Sequence, residues 1–155
     1  MMALNPERIQ ILTEKIKGII GEGGSDRLQR ICLLLKEEVE HYDWVGFYLV
    51  DRQKDRELVL GPFAGEPTEH TNIAFGQGIC GQAAETGKLF LVQDVTRETN
   101  YLSCSPEVRS EIVLPILRDG EIVGELDIDS HIIHPFTDAD SELLEEVCRI
   151  VAPMI

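Results

Sequence analysis

Hydrophobic residues recur at helical spacing in three segments, two at the N-terminal end of the chain and one at its C-terminal end. They repeat every three or four positions over about 6–20, 25–41 and 137–152, which predicts an amphipathic helix for each segment. Ser25 is predicted to cap the second helix, and the spacing of Thr137 and Asp140 matches a capping box.

From Asp43 the period of the pattern changes to two, and several β-strands are predicted between about 43 and 130. A short helix is predicted directly after Gly76-Gln77-Gly78, and a hairpin around Arg118-Asp119-Gly120. The polar segment Asp94–Arg109 is long for a structureless connection, and such loops are often functional. At 155 residues the chain fits one α+β domain, residues 1–155, with a central antiparallel sheet and the N- and C-terminal helices packed on one face.

The composition is that of an ordinary globular protein with a strongly acidic balance. Hydrophobic residues make up 43% and charged residues 27% of the chain, and 28 Asp and Glu against 14 Lys and Arg give a formal charge of −14. This charge disfavours nucleic acids and anionic lipid surfaces as partners and suits a ligand that carries an ammonium group. The sequence predicts neither a membrane helix nor a signal peptide, so we expect a cytoplasmic protein with reduced thiols.

The four cysteines fall in two different settings. Cys32 and Cys148 lie in the apolar stripes of predicted helices, where cysteine packs as a small, inert hydrophobe. Cys80 is in the first turn of the short helix, where the helix dipole is expected to lower the pKa of a thiol, although a small buried residue would also fit there. Cys104 lies in the polar loop, where either a redox role or an ordinary exposed thiol fits the sequence.

Acidic residues interrupt the last two predicted strands. Asp127 and Asp129 share one strand face, and Glu111 begins the partner strand. A three-residue turn would place Glu111 opposite Asp127, whereas a two-residue turn would place it opposite Ile128, and Pro115 indicates an edge or a bulge. The three carboxylates either solvate a strand edge or form a site that holds an ammonium group while a protonated member donates a proton.

Trp44 and Tyr48 lie four residues apart on one face of the first predicted strand. Such a pair is by default part of the core. The alternative is a pocket wall with a polar rim, because the indole N–H and the phenol O–H both need hydrogen-bond partners.

Several of these residues stand in motifs that resemble a known family. The chain resembles the free methionine-R-sulfoxide reductases, a branch of the GAF fold, in order and at similar spacing from about residue 25 to the end. The matching motifs are Trp44-Val45-Gly46-Phe47-Tyr48, Leu58-Val59-Leu60-Gly61-Pro62-Phe63, Gly78-Ile79-Cys80-Gly81, Ser110-Glu111-Ile112-Val113-Leu114-Pro115, Leu126-Asp127-Ile128-Asp129-Ser130 and Phe136-Thr137-Asp138.

The resemblance implies thiol-dependent reduction of free L-methionine-R-sulfoxide through a cysteine sulfenic acid and an intramolecular disulfide. Cys104 takes the position of the catalytic cysteine and Cys80 that of its partner, with the order of attack left open. No metal or organic cofactor is expected. The resemblance also implies a cytosolic homodimer that a thioredoxin-like dithiol reductant recycles.

The same resemblance assigns the substrate contacts. Glu111, Asp127 and Asp129 match residues that contact the ammonium and sulfoxide groups of the substrate. Trp44 and Tyr48 match aromatic residues that wall the methyl end of the sulfoxide.

One position departs from the family pattern. The third cysteine usual in the family, ten residues before the position of Cys80, is His70 here. This leaves direct resolution by Cys80, resolution by an external thiol, or a GAF module that binds a small ligand without chemistry. Metal binding by the cysteines and histidines lacks the usual zinc-ligand spacing, so no metal site is predicted.

Overall fold

The computed structural model describes residues 3–102 and 105–155. Along these residues two helices come first, six strands with one helix inserted among them follow, and a long helix comes after the last strand. In chain order the elements are α1 (Pro6–Glu22), α2 (Arg27–Glu38), β1 (Trp44–Val50), β2 (Glu57–Ala64), β3 (Asn72–Ala74), α3 (Gly78–Thr86), β4 (Phe90–Val92), β5 (Ser110–Arg118), β6 (Glu121–Ser130) and α4 (Asp138–Val151).

The strands form one antiparallel sheet in the order β3-β2-β1-β6-β5-β4. The helices α1, α2 and α4 cover one face, and α3 covers the other. This confirms the predicted α+β class and the packing of the N- and C-terminal helices on a single face. The central strands β1 and β6 are covered on both sides, so their side chains divide between two interiors.

The two interiors differ in chemistry. Val45 and Phe47 of β1 pack into a large apolar cluster with α1, α2 and α4. The alternate residues Trp44 and Tyr48 point to the opposite face, against α3. The first interior supplies most of the apolar burial that stabilises the fold, and the second contains the polar side chains described below.

The helix boundaries differ from the predicted ones by a few residues. The helix α1 continues to Glu22, and Asn5 caps it by accepting a hydrogen bond from the backbone N–H of Arg8 at 2.8 Å. The helix α2 is shorter than the predicted range of about 25–41, and its N-cap is Asp26 rather than Ser25, without a side-chain cap bond. None of the helices in the described ranges combines the length and apolarity needed to cross a membrane.

Cys32 and Cys148 are buried, as the apolar pattern predicts. Burial raises the pKa of the Cys32 thiol to about 12 and also raises that of Cys148, for which Glu145 and Glu125 contribute as negative neighbours. Both thiols are therefore neutral at physiological pH and unsuited to nucleophilic chemistry.

The turn between β5 and β6 has two residues, the shorter of the two lengths that the sequence allows. Asp119 and Gly120 have φ values of 54° and 80°, and Arg118 pairs with Glu121 across them. Positive φ at both central positions is the geometry of a type I′ turn, which Asp-Gly accommodates well.

A bulge then shifts the register of this hairpin. Val123 is the additional residue of β6, and beyond it Glu111 lies opposite Asp129. The two turn lengths predicted Asp127 or Ile128 as the partner of Glu111, and both predictions are therefore wrong. The predicted face is right, because one extra residue after a two-residue turn returns Glu111 to the face that Asp127 and Asp129 share.

Buried Asp140 joins the start of α4 to the segment before β1. Its Oδ1 accepts hydrogen bonds from Tyr42 Oη and His41 Nε2, each at 2.7 Å, and its Oδ2 accepts one from the backbone N–H of Thr137 at 2.8 Å. The last bond belongs to the predicted capping box. Burial alone would raise the pKa of Asp140, but the bonds from His41, Tyr42 and Thr137 outweigh it, and the pKa is lowered.

We expect Asp140→Asn to reduce the free energy of unfolding at pH 7 by about 2 kcal/mol, because it removes charge-assisted hydrogen bonds from a buried site. The native pKa is depressed, so this stabilisation is present above the unfolded value near 4 and is lost as pH falls through the native value. Urea unfolding from pH 7 down to pH 3 should show the variant and the wild type converging. Asp138→Asn, at the exposed first turn of α4, is the control, and a constant gap at all pH values would contradict the assignment.

Candidate active site

One face of the sheet gathers the acidic residues that the sequence singled out. Asp129 of β6 lies between Trp44 of β1 and Glu111 of β5, directly opposite both. Asp127, two residues earlier on β6, lies opposite Gly46. All three carboxyl side chains are buried, with 1–4% of their surface exposed. The predicted trio therefore meets in one buried row beneath α3.

A fourth acid, Glu125, belongs to the same row and was missed by the sequence analysis. It lies on β6 opposite Tyr48 and is fully buried. The signal was present in the sequence, because Glu125, Asp127 and Asp129 alternate along one strand. The period-two rule that places the two aspartates on one face places this glutamate there as well.

Glu125 and Asp127 are buried without an ordinary hydrogen bond to the described residues. Neither carboxyl oxygen of Glu125 or of Asp127 has a hydrogen-bond partner among the residues that the structure describes. Burial raises the pKa of both groups, and for Glu125 the negative charge of Asp127 adds to the shift, whereas contacts with Cys80, and for Asp127 also with Glu111, lower it in part. Like charges at short range in a low dielectric favour partial protonation, which is the condition for a carboxylic acid that donates a proton near neutral pH.

Cys80 faces this row from the first turn of α3. Its Sγ lies 3.9 Å from Glu111 Oε2. Burial raises the pKa of the thiol well above its usual value, and the charges of Asp127, Glu125, Glu111 and Asp129 raise it further. The expectation that the helix dipole lowers this pKa is wrong, because desolvation and four carboxylates outweigh the partial charge of one helix end.

Three side chains of the site have possible metal-ligand atoms close together. They belong to Cys80, Glu111 and Asp127. One ligand atom from each lies within 4.8 Å of the others, and within the described ranges this is the group that could hold a metal ion. All three side chains are buried. The row as a whole is therefore suited to a cationic group, whether an ammonium or a metal ion.

The aromatic residues are fixed by hydrogen bonds to loop carbonyl groups. Tyr48 Oη donates to the carbonyl oxygen of His70 at 2.8 Å, and Trp44 Nε1 donates to that of Glu66 at 2.9 Å. The indole ring also stacks on Phe63, with ring centroids 5.6 Å apart. Both polar edges are thus satisfied by the β2–β3 loop, and the apolar ring surfaces remain directed at the acidic face.

Two cavities border the acidic row. The first is lined by Tyr48, His70, Ile73, Gln77, Gly78, Ile79, Cys80, Leu102, Glu111 and Asp127. The second is lined by Asp43, Trp44, Glu66, Ser105, Val108, Asp129 and His131. The structure thus places Tyr48, Cys80, Glu111 and Asp127 around one cavity, and Trp44 and Asp129 around its neighbour.

Cys104 lies outside the described residues, but the chain on both sides of it is placed. Leu102 lines the first cavity and Ser105 lines the second. Before Leu102, the side chain of Asn100 accepts a hydrogen bond from the N–H of Gly78 at 2.8 Å and donates one to the carbonyl oxygen of Gly76 at 2.9 Å. The β4–β5 loop is therefore fastened to the start of α3.

The indole ring of Trp44 lies over Gly46, and a Cβ atom at this glycine would overlap it. We therefore expect Gly46→Ala to displace the ring and to lower the free energy of unfolding by about 1–3 kcal/mol. Trp44 is the single tryptophan of the chain, so its fluorescence spectrum reports the displacement. Gly18→Ala, on α1 with open space around it, should leave the spectrum unchanged, and an unchanged spectrum for both variants would contradict the packing.

The acidic row predicts a shift in the titration of Cys80 when one carboxylate is removed. In a Cys104→Ser background, Asp127→Asn should lower the pKa of Cys80, because Asp127 is the strongest of the negative neighbours that raise it. The absorbance of thiolate near 240 nm, measured against pH and corrected with a Cys80→Ser variant, gives this pKa. Asp119→Asn in the exposed turn is the matched control, and an equal pKa in both variants would mean that the row does not act on Cys80.

Comparisons with known proteins identify the family of this chain. Residues 25–155 match the family model described as GAF domain. GAF domain-containing protein A of Dictyostelium discoideum is 37% identical over 94% of this chain and 90% of its own. The free methionine-R-sulfoxide reductase of Escherichia coli is 38% identical over 77% of this chain and 70% of its own.

A solved structure adds a match over nearly the whole fold. The free methionine-R-sulfoxide reductase of Neisseria meningitidis, determined in complex with its substrate, superposes with a TM-score of 0.89 at 34% identity, covering 99% of this chain and 92% of its own. The chain therefore belongs to the GAF domain family, in the branch that contains the free methionine-R-sulfoxide reductases.

Proposed function

We propose that this protein is an oxidoreductase that reduces free L-methionine-R-sulfoxide to methionine with thiol reducing equivalents. The observation that carries the proposal is the row of four buried carboxyl groups beside the Cys80 thiol, two of them without hydrogen bonds among the described residues. The reductases of Escherichia coli and Neisseria meningitidis, named for this activity, support it.

The acidic row accounts for recognition of a free amino acid. Glu111, Asp127 and Asp129 hold the ammonium group, which supplies the positive charge and the hydrogen-bond donors that buried carboxylates need. Trp44 and Tyr48 wall the methyl end of the sulfoxide with apolar ring surface. Burial of the ammonium leaves no path for a preceding peptide bond, so methionine sulfoxide within a protein is excluded.

The chemistry uses a thiol and a protonated carboxyl group. Cys104 attacks the sulfoxide sulfur as a thiolate, and a protonated acid of the row gives its proton to the sulfoxide oxygen. The resulting hydroxyl group then transfers to the Cys104 sulfur as the bond between the two sulfurs breaks. The raised pKa of Asp127, caused by burial, suits it to this step. Methionine leaves, and Cys104 remains as a sulfenic acid.

Resolution then falls to Cys80, because His70 stands where the family usually has a third cysteine. Cys80 condenses with the sulfenic acid to an intramolecular disulfide, which an external dithiol such as thioredoxin reopens by exchange. The mechanism requires no metal or organic cofactor. A reducing cytoplasm keeps both thiols available, and the family resemblance supports a homodimer there.

The test is consumption of free L-methionine-R-sulfoxide in the presence of dithiothreitol or thioredoxin, followed as methionine released. We expect turnover by the wild type, at least 10³-fold loss in Cys104→Ser, and loss of most thioredoxin-supported turnover in Cys80→Ser. Cys32→Ser, which alters a buried thiol of the opposite interior, controls for general effects of cysteine replacement.

Three outcomes would contradict the proposal. Full turnover by Cys104→Ser would remove the assigned nucleophile. Reduction of the S epimer alone would remove the assigned substrate. Tight binding of the sulfoxide by wild-type protein with no methionine formed would identify a ligand-binding GAF module without catalytic activity.

A further inference from the structure

Glu125 is a buried acid to which no substrate contact has been assigned. Its side chain is fully buried, and neither of its oxygens has a hydrogen-bond partner among the described residues. An unpaired carboxyl group at such a position costs several kcal/mol relative to an apolar residue of similar size. Packing alone therefore does not account for a glutamate at this position.

The neighbours of Glu125 are the two groups that exchange protons in the proposed reaction. Glu125 and Cys80 are close enough to shift the pKa of one another, and the charge of Asp127 raises the pKa of Glu125. Cys80 and Asp127 both line the first cavity. Glu125 lies two residues before Asp127 on the same face of β6 and is buried from solvent.

The resolving step, in which Cys80 attacks the sulfenic acid, requires a route for proton transfer. Cys80 must lose its proton to attack a sulfenic acid, and the leaving hydroxyl must gain one. Bulk water has little access to the thiol, because Cys80 is only 5% exposed and has four acids as neighbours. A neutral carboxylic acid accepts a proton on one oxygen while donating another from its second oxygen, so it can join two such sites.

We propose that Glu125 is a proton-relay residue, which takes the thiol proton of Cys80 and passes its own carboxylic proton to Asp127 during disulfide formation. This role rests on the proposed reductase function.

The relay balances atoms and charge. The Cys80–Cys104 sulfur–sulfur bond forms, and the sulfur–oxygen bond of the Cys104 sulfenic acid breaks. The proton of Cys80 moves to Glu125, the proton of Glu125 moves to Asp127, and Asp127 delivers a proton to the hydroxyl group, which leaves as water. Both thiols are oxidised to the disulfide overall, Glu125 returns to its neutral form, and the oxygen lost as water came from the sulfoxide.

The test separates the resolving step from the reduction of the substrate. One equivalent of L-methionine-R-sulfoxide is added to reduced protein without external thiol. Methionine release and the Cys80–Cys104 disulfide are followed in quenched samples by mass spectrometry. The variants are Glu125→Gln, which keeps the shape but cannot relay, and Glu125→Met, which replaces the buried acid by an apolar side chain of similar volume. Glu121→Gln, exposed on the same strand, is the matched control.

We expect Glu121→Gln to match the wild type in both methionine release and disulfide formation. In both Glu125 variants disulfide formation should slow about 10²-fold relative to methionine release, in the range typical of a lost acid–base group. The thiol pKa of Cys80, measured in the same variants, should fall or stay constant, because a negative neighbour has been removed. A purely electrostatic role would then make the disulfide form faster, so the two roles predict opposite changes in rate.

Wild-type disulfide rates in either folded Glu125 variant would overturn the relay. Absence of methionine release from the wild type would instead overturn the proposed substrate. A second arm keeps the relay testable in that case, because one equivalent of hydrogen peroxide oxidises an accessible thiolate to the same sulfenic acid. The relay predicts the same slow disulfide formation in this arm, and an unchanged rate there also overturns it.

Discussion

The removal of four carboxyl groups from water on one sheet face is the constraint on which the rest of this molecule depends. Each ionised group carries a desolvation cost of several kcal/mol that only protonation, a hydrogen bond or a cation offsets. For Glu125 and Asp127 the described residues provide no ordinary hydrogen bond. The row is therefore arranged for protons and for a cationic ligand, and both are what reduction of a zwitterionic sulfoxide requires.

The fold offsets this desolvation cost with apolar burial on the other face of the sheet. One face stabilises the protein, and the opposite face contains the acidic row. The face under α1, α2 and α4 is lined by apolar residues such as Phe47 and Leu126, and it anchors both central strands. The alternate residues of the same strands then have fixed positions on the other face, including the acids. Because side chains alternate strictly, each aspartate of β6 is held by its apolar neighbours on the opposite side.

The sequence correctly predicted the helices, the strands and the sheet face on which the acids lie. It did not predict which residues lie opposite Glu111 in the neighbouring strand. Alternation along β6 placed Asp127 and Asp129 together correctly, and the same rule would have found Glu125. The position of the bulge at Val123 was not predictable, because Asp-Gly fits either turn length. The pKa of Cys80 was predicted in the wrong direction, since helix position is visible in sequence but the burial of four acids around the thiol is a tertiary property.

The central claim is that the acidic row selects its ligand by the ammonium group. Calorimetry on Cys104→Ser protein with L-methionine-R-sulfoxide, and with the same sulfoxide acid lacking the amino group, measures this selection directly. The account predicts that loss of the amino group weakens binding at least 100-fold, because it leaves buried carboxylates without a cationic partner, equivalent to about 2.7 kcal/mol. Equal affinity for the two compounds would show that the row does not bind the ammonium.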